Sequence, residues 1–197
     1  MGVWLCGGRV KRRSHVPELT AERRQVIEDR ANRFLVEQGV VGVPVDIKSL
    51  VKKLDFRVKE LDFRDNRTTG MIAVNENEWI ENTDTHRLIA VGKQLGHERS
   101  RFIIAHELGH YLLHKTQEQP LFARRDTDTN RSDEPEAELF GRAILMPKDK
   151  MEEAVRYFKS NERAQKAFSS ISKFIGALFD VTEKKALVRL EELCLLG

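Results

Sequence analysis

The chain has little of what builds an exported or membrane-bound protein. Cys6 and Cys194 are the only cysteines among 197 residues, which excludes a disulfide framework and a cysteine-built zinc knuckle and makes reduced, cytoplasmic thiols the expectation. No apolar run is long enough to span a bilayer. The opening MGVWLCGG is too short for the apolar core of a signal peptide and runs directly into Arg9. Gly2 suits a myristoylation start, but Cys6 stands where Ser or Thr is needed. A soluble, unexported protein without membrane contact is expected. Excess charge of one sign is also missing: 34 Lys plus Arg against 31 Asp plus Glu give +3, too even to announce a nucleic-acid protein. Internal repeats and low-complexity tracts are absent as well.

What is present suits one compact domain with an appendage, large enough to bury a core without disulfides. A basic cluster of Arg9, Lys11, Arg12 and Arg13 marks residues 1–16 as a flexible, solvated tail. Over 20–38, Ile27, Ala31, Phe34 and Leu35 recur at helical intervals and Gly39 is a stop signal. Over 44–54, Asp46 can cap a short helix with Ile47, Leu50, Val51 and Leu54 on one face. FRVKELDF, GMIAVN (70–75) and RLIAVG (87–92) read as two or three strands of a small sheet. Between His114 and Asp133 lies a polar stretch without regular pattern, expected as a loop or a lid that gates a cleft. EPEAELFGRAILMP then places Ala137, Phe140 and Ile144 on one helical face, and Pro147 ends it.

The chemistry concentrates in RFIIAHELGHYLLH, positions 101–114. Residues four apart on a helix are separated by about 40° in projection and roughly 6 Å along the axis, so His106 and His110 can present nitrogens to one ion. Ile104, Leu108, Tyr111 and Leu112 fall largely on the other side, so the core would anchor the helix while both imidazoles look into a cleft. Glu107, beside His106, is placed to take a proton from a zinc-bound water without binding the metal. Gly109 is tolerable inside the helix where another backbone must approach closely. Histidines that are merely solvated on an amphipathic helix are the bland alternative. The helical setting and a suitable third ligand downstream favour the metal.

A tetrahedral site needs one more protein ligand and leaves one position for water. Leu113 and Thr116 stand where a metzincin needs Gly and His. His114 lies roughly 12 Å of rise beyond His106, too far to share the ion, and is expected as a surface or supporting histidine. Glu134 and Glu138 share a helical face on which one can bind metal and the other can accept from the free N–H of a ligating histidine. Glu134 is read as the ligand and Glu138 as the orienting group, while Glu136 points elsewhere, as a solvated acidic first turn would.

HELGHYLLH followed by EPEAELFGRAILMP, with PVDIKSLVKKLDFRV upstream, resembles the ImmA/IrrE family of zinc metallopeptidases over most of positions 30–147. The resemblance implies zinc on His106, His110 and Glu134, with Glu107 as the base. Glu138 departs from the usual Asn or Asp, which puts its distance to the histidine in question, and Gly141 stands where Ala is common. By resemblance to thermolysin-like architecture, the strand at 70–74 is the candidate edge for holding substrate through Gly70, Met71, Ile72 and Ala73; an ordinary strand of the sheet is the equal alternative. The family further implies a protein substrate that is a helix-turn-helix transcriptional repressor.

Near the end, ISKFIGALFDVTEKKALVRLEEL reads as two helices around a turn at 179–182, with Thr182 as N-cap. Lys184, Lys185 and Arg189 are expected on the exposed side of the second helix, with Leu187, Leu190 and Cys194 as its apolar stripe. This faint likeness to a helix-turn-helix supports an alternative function, a DNA-binding transcriptional regulator that touches DNA through 170–194 and uses the zinc fold as sensor or scaffold. A helical pair packed on the catalytic domain is the plainer reading. Tyr157 is a possible oxyanion donor. The expected fold is α+β, a zincin-like metallopeptidase domain over 17–147 with a small mixed sheet, followed by a helical C-terminal extension over 148–197.

Overall fold

The computed structural model describes residues 19–64, 68–114, 121–124 and 133–196. The basic cluster at Arg9–13 and most of the 115–133 stretch lie outside the described residues. Helix α1 (Ala21–Glu37) begins where the Thr20 side chain accepts from Arg23 N and ends before Gly39, whose φ of 68° takes the chain out of the helix. Its buried residues are Ile27, Ala31, Phe34 and Leu35, the periodic set. Asp46 caps α2 (Ile47–Lys53) by accepting from Ser49 N at 3.1 Å.

Three strands follow, β1 (Arg57–Leu61), β2 (Gly70–Val74) and β3 (Arg87–Gly92). A fourth, β4 (Leu121–Arg124), lies in the stretch expected to have no regular structure. Four residues carry too little periodicity to be recognised; β4 exists because β2 offers it hydrogen bonds, with Ile72 opposite Ala123. The sheet is mixed, in the order β1-β3-β2-β4: β1 runs parallel to β3, and β2 runs antiparallel to both β3 and β4. Strand β2 is therefore interior.

Helix α3 (His97–His114) packs against β2, β3, α2 and, most extensively, α4 (Asp133–Leu145). Every α3 residue over 101–110 is buried. The imidazole face expected to look into a cleft is packed against α4, which lies along it. On α4, Ala137, Phe140 and Ile144 are buried as their spacing requires.

Four helices complete the described chain: α5 (Lys148–Ser160), α6 (Glu162–Ala167), α7 (Ile171–Phe179) and α8 (Glu183–Glu192). The turn between α7 and α8 has Asp180 in the left-handed region at φ 55° and Thr182 as N-cap. These helices share the core with the N-terminal ones, which extends without a break from Ile27 to Leu190. The expected exposed face of α8 requires correction. Arg189 is completely buried, donating to Met146 O at 3.1 Å and gripping Glu28 of α1 through both terminal nitrogens. Lys185 is turned inward to Glu138, which leaves Lys184 exposed. The apolar side is Ala186 and Leu190, whereas Leu187 and Cys194 are exposed. The helix is rotated relative to the expectation because Glu28, distant in sequence, draws Arg189 in. No described helix is long and apolar enough to cross a membrane.

Candidate metal centre

Local helix geometry places two of the candidate ligands. His106 and His110, one turn apart on α3, bring their Nε2 atoms to 3.1 Å. Tertiary packing supplies the third: Glu134, in the first turn of α4, has Oε2 at 3.4 Å from His106 Nε2 and Oε1 at 3.3 Å from His110 Nε2. Both imidazoles are buried while the carboxylate forms part of the rim. The two imidazoles beside it hold the Glu134 carboxyl well below the usual carboxylate range.

Two glycines bring α3 and α4 this close. A Cβ at Gly109 would stand 3.1 Å from both Cα and O of Ala137, and one at Gly141 would stand 3.2 Å from His106 N. Each helix therefore presents bare backbone where the other is nearest. The glycine at 109 costs about 1 kcal/mol of helix propensity, and the close crossing it permits carries Glu134 to the histidines.

Glu107 is buried at 2% exposure and abuts the start of β2. A Cβ at Gly70 would lie 2.8 Å from Glu107 Oε1 and 2.2 Å from Ile103 Cγ2. The absence of a side chain at 70 is thus what accommodates the glutamate.

Glu138 approaches the other side of the site, its Oε2 3.4 Å from His106 Nδ1. That is an ion-pair distance and long for a hydrogen bond, the point on which the longer side chain at 138 bears. The same carboxylate accepts from Lys185 and lies 3.3 Å from Arg142 Nη1. Burial works against its ionisation, yet His106 and Lys185 hold its pKa down at about 2.

Glu136 and His114 serve elsewhere. Glu136 accepts from Arg23 Nε at 2.6 Å and contacts His114 Nε2 at 3.0 Å, so it ties α1 to α4 and to the end of α3. Instead of forming a solvated first turn, it closes a three-helix junction. Arg23, Arg101 and Arg142 are structural residues that the sequence patterns did not single out. Arg101, buried on α3, donates to Val45 O at 2.9 Å and Asp180 O at 3.0 Å, and Arg142 forks onto Glu192. Their partners are remote in sequence, and only the charge type could have hinted at them.

The strand containing Gly70, Met71, Ile72 and Ala73 is close to the site through Gly70, but it is not the edge strand expected. Both its sides are paired, one by β3 and the other by β4. A peptide could add to β2 only where β4 now lies. Tyr157 is half-exposed and stacks on Phe174 in a groove with Val41 and Leu178, a groove lined by none of the candidate ligands.

The donor set fits a metal ion. Bonds of about 2.0–2.1 Å to a tetrahedral ion put ligand atoms roughly 3.3 Å apart; here the two Nε2 atoms are 3.1 Å apart, each has a different Glu134 oxygen at 3.3 or 3.4 Å, and one carboxylate oxygen lies with both nitrogens inside 4.8 Å. Among the described residues, His106, His110 and Glu134 form the cluster able to hold such an ion. No curated protein matches the chain significantly. The Peptidase M78 family model, described as the IrrE N-terminal-like domain, matches residues 50–191 and so spans every candidate site residue. The chain therefore belongs to the Peptidase M78 family, that of the IrrE N-terminal-like domain, and has a metallopeptidase-type function.

Proposed function

We propose that this chain is a zinc-dependent endopeptidase of the gluzincin type, acting in the cytoplasm on one specific protein, a helix-turn-helix repressor. The observation that carries the reading is the convergence of His106 Nε2, His110 Nε2 and a Glu134 oxygen within 4.8 Å, with Glu107 adjacent on the same helix. Two imidazoles and a carboxylate with one coordination position to spare make a catalytic zinc set. Zinc held there would supply a Lewis acid for the scissile carbonyl and would lower the pKa of a water to about 7.

The chain's own residues do the rest. Glu107 takes the proton of the attacking water and passes it to the departing amine. Its burial against Gly70 keeps the carboxylate from turning away. Glu138, 3.4 Å from His106 Nδ1, favours a proton on that nitrogen through its charge and so leaves Nε2 available to the ion. Substrate lies along Gly70, Met71, Ile72 and Ala73 in extended form, which requires β4 to leave β2. The DNA-binding alternative is weakened by Arg189 and Lys185, two of the three cations behind it, being engaged inside the protein.

Metal analysis of the purified protein tests the reading. About one zinc per chain is expected in the parent and in Glu107→Gln, and sharply less in Glu134→Ala. Cleavage of helix-turn-helix repressors from the same genome should disappear on chelation and in Glu107→Gln. Zinc retained by Glu134→Ala would remove Glu134 from the ligand set, and cleavage by Glu107→Gln would remove the proposed base.

A further inference from the structure

A second concavity lies one helical turn from the candidate metal centre. It has a volume of about 510 Å³ and is bounded by the start of α3, the residue before β2 and the start of α8. Phe102 and Ile103 form part of its apolar wall, and they precede His106 and Glu107 by four residues each, about 6 Å along the helix. Thr69, also on the wall, is bonded to Gly70. Glu138 belongs both to this cavity and, through its 3.4 Å approach to His106, to the metal centre. The cavity thus borders the candidate metal centre through Glu138 and the start of β2 through Thr69.

The charge of this cavity is one-sided. Its lining carries Arg99, Arg142, Lys184 and Lys185 against the single carboxylate of Glu138. Glu138 already receives Lys185 and Arg142, and Arg142 also forks onto Glu192. Lys185 lies over the Phe102 ring, 3.6 Å from its centroid. Arg99 and Lys184 are exposed, and among the described residues neither has an ion pair or side-chain hydrogen bond. Two spare cations above an aromatic and aliphatic wall match a side chain with an aliphatic stem and an anionic end.

Resting on the peptidase reading, we propose that this cavity is a specificity subsite for an acidic substrate residue, glutamate above all, beside the scissile bond, and that Arg99 and Lys184 select it. The stem of glutamate lies along Phe102 and Ile103, and its carboxylate meets the guanidinium and ammonium in charge-assisted hydrogen bonds. A lysine in the same place faces like charge, and a glutamine loses the charge assistance.

Binding rather than turnover tests this. Three peptide hydroxamates, identical except for Glu, Gln or Lys next to the metal-chelating group, are titrated into the zinc-loaded full chain and into an Arg99→Glu/Lys184→Glu variant. Both substitutions are at exposed positions, and thermal melting checks that the variant is folded. The Glu compound is expected to bind about tenfold tighter than the Gln compound, and the Lys compound weakest. The double variant should reverse that order. Equal affinity for all three in the parent, or an order unchanged in the variant, overturns the subsite while leaving the peptidase reading intact. Failure of every hydroxamate to bind a chain carrying zinc overturns the peptidase reading and the subsite with it. If the variant instead loses affinity for duplex DNA while still preferring the Glu compound, the two cations belong to a nucleic-acid surface and the subsite assignment falls.

Discussion

At Gly70 a single hydrogen atom stands where any other residue would carry carbon. Since a Cβ there would meet Ile103 and Glu107 at 2.2 and 2.8 Å, Gly70→Ala must change both contacts. Ile103 is packed in the core, so relieving its overlap shifts α3 against β2, and the glutamate moves as well. The substitution is expected to lower cleavage about 100-fold, the scale of an ångström-level misplacement, with zinc content unchanged because none of the ligands touches that position. Loss of zinc instead would show that the strand supports the metal site as a whole. Glu107 was legible as the candidate base from its place between two histidines. The role of Gly70 was not, because it depends on where a distant strand meets α3. Glu136 teaches the same lesson: its neighbours in sequence suggest solvent, and Arg23 and His114 give it a part-buried junction.

Helix-scale geometry explains how the site is assembled. Gly109 and Gly141 let α3 and α4 approach until backbone meets backbone, and this contact sets the reach of Glu134. Gly109→Ala improves helix propensity by about 1 kcal/mol, but its Cβ would push on the backbone of Ala137 rather than on a side chain that can swing aside. A net destabilisation of about 1–2 kcal/mol is expected, together with weaker zinc binding measured by chelator competition. A variant that is more stable and binds zinc as well as the parent would show that α4 yields freely. Several helix ends were readable, since Asp46 and Thr182 as caps and Pro147 as a stop act on their immediate neighbours, whereas the break between α5 and α6 was not. Strand β4 was not, because four residues have no period and their pairing is decided by β2.

For the whole molecule, the C-terminal helices are joined to the rest by apolar core and by buried ion pairs. Arg189 links α8 to Glu28 of α1 and to the end of α4 at Met146. Removing its side chain leaves Glu28 without that partner and opens a cavity. Arg189→Ala is expected to cost about 3–5 kcal/mol in urea denaturation, and the double variant with Glu28→Ala should cost less than the two single changes added together. Strict additivity would show that the pair is not coupled. The division at 147 read from the sequence becomes a question of cooperativity in this setting. With one core shared across it, we propose that both parts unfold in the same transition by near- and far-ultraviolet circular dichroism.

The sequence by itself determined what acts over a turn or two of helix: the caps, the apolar faces, the histidine pair on α3, and the common face of Glu134 and Glu138 on α4. Those depend on fixed periodicities, so residue spacing is enough to read them. Only the tertiary structure decided that α4 covers the imidazoles, that β2 has neighbours on both sides, and that Arg189 faces inward to a glutamate 161 positions away. Such pairings are chosen by packing and by the need of buried charge for a partner, and neither is written in the residues on either side.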